Sequence, residues 1–428
     1  MTAARNAPRR GRPRRPRLDR KAVIGLPQVR LVEGLLDHLR RAYDHPNRRL
    51  HFDDLFIALL LAFYNPVVRS LRGVEDASQM PGVRQHLSLE AVKRSTASDA
   101  LAAFDPGLLR PLLRDLRGRV SPRQMDQTDP ALRGLLNRLL VYDGSFFRTV
   151  SDVGWALRER HGPRWRGRVR LNLHWSVRDG VPEGVSVAGR GDPGEPTALL
   201  ESVTAGQVIV ADRGCFSHET VQQLRQRQAD FVLRLQRGVC CQEIALRPLT
   251  PADQAAGVLS DQTVLLTGSH NPYPPTPLRL VTIQPEGDST RRDGASAAAP
   301  ATPTAPLRLL TSLREAQTPA WVIGQVYRRR WEIELFFRWL KTCAQWEHLL
   351  SESRSGMLLQ FYVALIGTLL LAVATGHPPD RYSFNLLCLA AAGQGSVQDA
   401  LAIYERRRQE RERDRLRQQA RAAAKKLG

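Results

Sequence analysis

The sequence predicts an α/β protein with an all-α N-terminal domain ahead of its sheet and a β-rich insertion within it. Three observations carry this. Two apolar runs, Leu139–Tyr142 and the "QVIVA" run ending at Ala211, have the length of buried strands, and each leads into an aspartate, Asp143 and Asp212. Segments of helical pattern lie between and after these runs, as a sheet with interleaved helices requires. Residues 27–135 read as helical, whereas 239–316 hold short strand-like runs.

Residues 1–25 are rich in Arg and Pro, the composition of a disordered basic tail. Across 26–135 a helical domain is expected, with "FDDLFIALLLAFYNPVV" an apolar helix stopped by Pro66. The stretch "LEAVKRSTASDALAAF" is compact enough for a helix–turn–helix that lays one helix in a DNA groove, although a plain helical bundle fits it equally well. Residues 136–238 form the first part of the core. After the strand into Asp143, "RVRLNLHWSVRDGVPEGVSVAG" alternates as a hairpin about Asp179-Gly180, and a short helix falls near Thr197 to Ala205. The strand into Asp212, the helix "SHETVQQLRQRQ" and the strand "ADFVLRLQRG" follow. The insertion, 239–316, carries strands at "CQEIALRPL", "QTVLLTG", "LRLVTIQP" and "LRLLTSL" around a low-complexity loop, "PEGDSTRRDGASAAAPATPTAP". Helix resumes near Pro319, so 317–376 is the second part of the core and 377–428 a helical, basic C-terminal region.

A length of 428 residues allows two or three domains, and the net charge of +21 points to a polyanionic partner. Much of that charge is terminal: residues 1–20 hold eight Arg against one Asp, and 405–428 hold ten Lys or Arg against four acids. The five cysteines form no C-x-x-C pair and no His-flanked ligand set, which fits a reducing cytoplasm rather than a zinc or disulfide framework. The basic N-terminus has no apolar core behind it and is not read as a signal peptide. Met357–Gly376 contains no charge over a length that could span a bilayer, but Gln360, Thr368 and two glycines dilute it and no second such span exists. A buried core helix is the expectation, with no membrane.

The segment "YRRRWEIELFFRWLK", Tyr327 to Lys341, reads as one amphipathic helix. At about 100° per residue, Tyr327, Arg330, Glu334, Arg338 and Lys341 fall within roughly 80° of one another, while Glu332 points roughly 140° from Tyr327. Glu334 is thus the single carboxylate on a stripe of cations. One explanation is a solvated face on which Glu334 pairs with Arg330 and Arg338, at about 0.2–0.5 kcal/mol per pair. The other is chemical. Two strand-associated aspartates and a glutamate from a later helix are what a two-metal phosphoryl-transfer site needs, because hard divalent cations prefer carboxylate oxygens.

The chain resembles the DDE transposases of the insertion-sequence 4 type over roughly residues 50–375. Their signature Y-x₂-R-x₃-E-x₆-K is met by Tyr327, Arg330, Glu334 and Lys341, and the contexts "DGSFFR" at Asp143 and "DRGCF" at Asp212 match as well. The resemblance implies an RNase H-like catalytic core in which Asp143, Asp212 and Glu334 bind two Mg²⁺, with Mn²⁺ as a substitute. Arg330, Lys341 and Tyr327 would bind phosphates beside the scissile bond, and Arg338 shares their stripe outside the motif. The implied partners are double-stranded DNA, both the element's terminal inverted repeats and the target, and a second copy of the chain in a synaptic complex. A structure-specific nuclease on the same core, or an inactive DNA-binding derivative, remains as an alternative. In one respect the chain departs from some relatives, which stack an insertion-domain tryptophan on a flipped base: all seven Trp here lie outside 239–316, where Tyr273 is the one aromatic residue.

Overall fold

A computed structural model describes residues 30–43, 48–65, 68–81, 83–84, 91–122, 130–149, 153–161, 164–268, 272–285, 305–314, 316, 318–343, 349–391 and 394–427. The basic tail expected at 1–25 and most of the low-complexity loop lie outside the described residues. The chain divides into two compact units, residues 1–100 with 385–428, and residues 101–384.

In the first unit, α1 (Arg30–Ala42), α2 (Phe52–Tyr64) and α3 (Leu71–Gln79) are helical as their patterning requires. Helix α2 is buried on nearly every side, and its acidic first turn, Asp53 and Asp54, is neutralised by Arg40 of α1 at 2.9 and 3.0 Å. Asn65 closes it ahead of Pro66. The stretch read as a helix–turn–helix contains, among its described residues, a single helix, α4 (Arg94–Ala103), entered from extended chain at 91–93. Its Ser and Thr residues, at 95, 96 and 98, lie inside that helix rather than in a turn.

The second unit is built on one ten-stranded sheet. Helices α5 (Arg110–Arg119) and α6 (Pro130–Leu136) precede β1 (Leu139–Arg148), β2 (Leu157–His161), β3 (Arg164–Ser176) and β4 (Val181–Ala188). Then come α7 (Glu195–Leu200), β5 (Val208–Ala211), α8 (His218–Gln226) and β6 (Asp230–Arg234). Strand β3 is long enough to pair with β1 along one edge while the other edge takes β2 and β4 end to end. Strands β1, β5 and β6 are parallel. Leu140, Tyr142, Ile209, Ala211, Phe231 and Leu233 pack with α7 and α8 in one core cluster, as the two-residue period of a strand dictates.

The four strands expected in the insertion form as β7 (Cys241–Leu246), β8 (Val258–Leu266), β9 (Leu278–Ile283) and β10 (Leu307–Thr311). They do not make a separate module. β10 pairs antiparallel with β6, and β9, β8 and β7 follow outward, so the inserted strands lengthen the core sheet. A short helix, α9 (Pro251–Ala255), is closed by a reciprocal Thr250–Asp253 capping box. Beyond β10 lie α10 (Ala320–Arg328), α11 (Trp331–Arg338) and α12 (Arg354–Thr375), followed by α13 (Arg381–Ala391) and α14 (Val397–Leu427). The charge-free segment at 357–376 is the body of α12, 83% buried over its most apolar window. It is a core helix.

Candidate active site

The apolar run Leu139–Tyr142 is buried on both faces, and its register aligns Tyr142 with Ala211 of β5. The next positions on these neighbouring parallel strands are Asp143 and Asp212. They are brought side by side because β5 ends at Ala211 and Asp212 turns out of it into a short 3₁₀ segment. Asp143 is not at a strand end, as the sequence implied. β1 runs on to Arg148, paired with β3, so Asp143 sits where β1 loses β5 as a neighbour while keeping the other.

The expected single helix from Tyr327 to Lys341 is interrupted twice. Between α10 and α11 the amides of Arg329, Arg330 and Glu332 donate to the carbonyls three residues back, which tightens the turn at 329–330. After Arg338 the chain widens into a π-helical turn, Trp339–Cys343. The consequences differ by residue. Tyr327 donates its hydroxyl to Asp212 Oδ1 at 3.1 Å. Arg330, 14% exposed, reaches Asp143 Oδ2 with Nη1 at 3.6 Å and Glu334 Oε1 with Nη2 at 2.5 Å. Lys341 lies further along β1, donating to Ser145 Oγ at 2.8 Å and to the Phe146 carbonyl at 2.9 Å. Arg338 is exposed, and among the described residues its side chain meets none of the three carboxylates. Glu332 faces elsewhere: it accepts from Trp175 Nε1 at 3.3 Å and pairs with Arg329. Trp175, Phe336 and Trp339 stack in succession beside it, with ring centroids 4.9 and 5.7 Å apart, and fix α11 against β3.

The electrostatics follow from this placement. Burial pushes Asp143 up to about 6, against the pull of Arg330 and the Gly144 amide and with Glu334 and Glu195 adding repulsion. Burial also acts on Asp212. There the Arg213 amide, Arg330, Arg234 and the Tyr327 hydroxyl together outweigh it, holding the carboxyl below the usual range. Burial pushes the Tyr327 phenol up to about 12, so it is a donor at neutral pH.

The donor chemistry, three carboxylates and a phenol at the end of a parallel strand pair, suits a hard divalent cation. Among the described residues, however, no three acidic, His or Cys side chains converge closely enough to form a finished ligand shell. The Arg330 guanidinium lies between Asp143 and Glu334 and supplies the positive charge that an ion would. Two contributors escaped the sequence reading. Arg234, at the end of β6, pairs with Asp212 at 3.4 Å. Glu195, the first residue of α7, has its carboxylate against Gly144 and Gly214; the signal for it was an acid beside a proline at a helix start.

Two curated relatives align with the chain. A candidate transposase, y4zB, of Sinorhizobium fredii is 27% identical over 174 residues, 40% of this chain and 44% of that protein. A candidate transposase for insertion sequence element IS4SA of Synechocystis sp. is 22% identical over 291 residues, 67% of this chain and 73% of that protein. The chain thus spans less than half of the first relative's length and nearly three quarters of the second's. The profile of the transposase DDE domain matches residues 135–370, more than half of the chain and a span that takes in every acidic and basic residue of the site described above. The chain belongs to the DDE transposases.

Proposed function

We propose that the chain cuts the ends of an insertion sequence and joins the freed 3′-OH to target DNA, by two-metal phosphoryl transfer in an RNase H-like core. The observation that carries this reading is the adjacency of Asp143 and Asp212 on parallel neighbours, with Arg330 bridging Asp143 to Glu334. The strand order β4-β3-β1-β5-β6, antiparallel over its first two pairings and parallel over the last two, supports the RNase H-like assignment.

Asp143, Asp212 and Glu334 are the residues that would hold Mg²⁺, or Mn²⁺ in its place. Bound there, the ions would supply the Lewis acidity that activates an attacking oxygen and steadies a leaving one. The protein's own groups do the rest. Tyr327 orients Asp212 and favours its ionised form. Arg330 keeps Asp143 and Glu334 apart and charged, and on release from them its planar fork matches a phosphate. Lys341 extends the cationic track along β1 toward Ser145. Residues 26–135 would supply DNA binding and the basic C-terminal helix further phosphate contacts, in a cytoplasmic protein that acts as a homodimer when two element ends are synapsed.

Purified chain incubated with matched terminal-repeat DNA, a target plasmid and Mg²⁺ tests the reading. Nicked ends together with joined product support it. Cleavage without joining would favour the structure-specific nuclease, and neither product in the presence of bound DNA would favour an inactive derivative.

A further inference from the structure

Glu195 opens α7 after Gly194, and two glycines shape its surroundings. A Cβ on Gly214 would lie 2.5 Å from Glu195 Oε2, and a Cβ on Gly144 would lie 3.0 Å from Oε1. Each glycine follows an active-site aspartate by one or two positions, in "DG" at Asp143 and "DRG" at Asp212. Both aspartate-bearing segments can therefore approach this carboxylate only because they have no side chain at that point. Glu195 sits at their junction, on the sheet face covered by α7 and α8.

The carboxylate is poorly compensated for such a position. Its side chain is 26% exposed, and the cation nearest it, Arg170, stands off at 4.0 Å with Nε given to Asn172 and Nη2 to the Pro193 carbonyl. An acid at a helix N-terminus is favourable in itself, but that does not account for space cleared on two separate strand ends. A partly buried anion beside other anions is costly unless a cation completes the group.

We propose that Glu195 is a fourth oxygen donor of the cation site, holding a hard divalent cation together with Asp143 and Asp212. The proposal rests on the metal-site reading above and extends it to a residue outside the three-carboxylate set. Glu195 belongs to the Asp143–Asp212 side of the site, whereas Glu334 approaches through Arg330.

Mn²⁺ binding to the full chain without DNA, followed through the electron paramagnetic resonance signal of the free ion, tests this apart from catalysis. Glu195→Gln keeps the shape and removes the charge, and should weaken Mn²⁺ binding by about tenfold or more, the range typical when a group supporting a metal site is lost. Gly214→Ala should do the same by another route: its Cβ displaces only the tip of a flexible side chain, so the fold persists while the carboxylate is moved. Melting of both variants in the absence of metal should match or exceed that of the wild type, since repulsion is relieved. Asp143→Asn and Asp212→Asn serve as references. If these two lose Mn²⁺ affinity while Glu195→Gln and Gly214→Ala keep it, Glu195 is not a donor and the three-carboxylate site stands alone. If all four bind Mn²⁺ as the wild type does, the metal-site reading fails along with it.

Discussion

Two buried arginines, one in the inserted strands and one at the catalytic end, show two ways of placing a cation among carboxylates. Arg279 at the start of β9 is 4% exposed and fully engaged: it donates to both oxygens of Asp261 at 2.9 and 2.7 Å and to the Thr318 carbonyl at 2.6 Å, and Arg247 supports Asp261 from the other side. Arg330 is nearly as enclosed, yet its Nε has no partner and its two acidic contacts belong to different elements, one of them stretched to 3.6 Å. A completed network fixes structure. An incomplete one, with the same residue type at similar depth, leaves a group able to exchange partners, which a site that must admit an ion and a phosphate requires.

The sharpest way to break this comparison is to remove the carboxylates. Asp143→Asn, Asp212→Asn and Glu334→Gln should each reduce cleavage of terminal DNA to background in a gel assay, with end binding retained; robust cleavage by any of them would remove that residue from the site. Arg279→Ala should act on stability instead, by about 3–5 kcal/mol, because it strands Asp261 in the interior. A denaturant midpoint near that of the wild type would show that the inserted strands do not depend on the pair. Arg330→Ala should reverse the pattern, losing about 10²–10³ in cleavage rate, the scale of one positioned electrostatic group, with melting little changed. Arg330→Lys should recover only part of the rate, since the planar fork is gone.

His174 offers a third case, a finished polar site without a charge. Burial holds it down to about 4, with its ring against Tyr142 and hydrogen-bonded to the Leu199 carbonyl. The folded state therefore binds fewer protons than the unfolded chain between about 6.5 and about 4, so stability falls as pH drops through that window, by about 3 kcal/mol in total for this group. Equilibrium unfolding of wild type and His174→Gln across this range should show a shallower decline in the variant; parallel curves would assign the loss to other groups. The smallest effect is expected at Glu332. Glu332→Gln keeps an acceptor for Trp175 and should cost about 1 kcal/mol or less, with cleavage near normal, in contrast to its neighbour two residues on.

The sequence reading reached the strands more easily than their neighbours. β1 and β5 are legible because apolar runs of that length have few other uses, and the four inserted strands are legible for the same reason. That β10 would pair with β6 is not, since pairing across a long loop depends on tertiary fit that no local pattern records. Asp143 looked like a strand end because apolar residues stop there, yet β1 continues with polar residues held by β3. The stripe from Tyr327 to Lys341 assumed one uniform helix, and the tightened turn at 329–330 and the π turn at 339–343 redistribute its members: Tyr327, Arg330 and Glu334 stay with the aspartates while Lys341 moves toward Ser145. Glu195 was invisible because an acid before a proline is an ordinary helix start, and its meaning depends on two glycines distant in the chain.

Helix α12 has one further consequence, which concerns the order in which the chain is made. Its apolar length is what a membrane-inserting machinery recognises in a nascent polypeptide, so its fate depends on what is available to cover it when it emerges. Its main contacts are with α5, the 3₁₀ turn ahead of it and β4, and Phe361 and Tyr362 meet Phe147 and Arg110. Every one of these precedes α12 in the chain. Synthesis from the N-terminus thus presents the helix to a surface already translated, and a chain slow to assemble β1 to β4 would expose twenty-odd residues of lipid-like sequence for as long as that delay lasted.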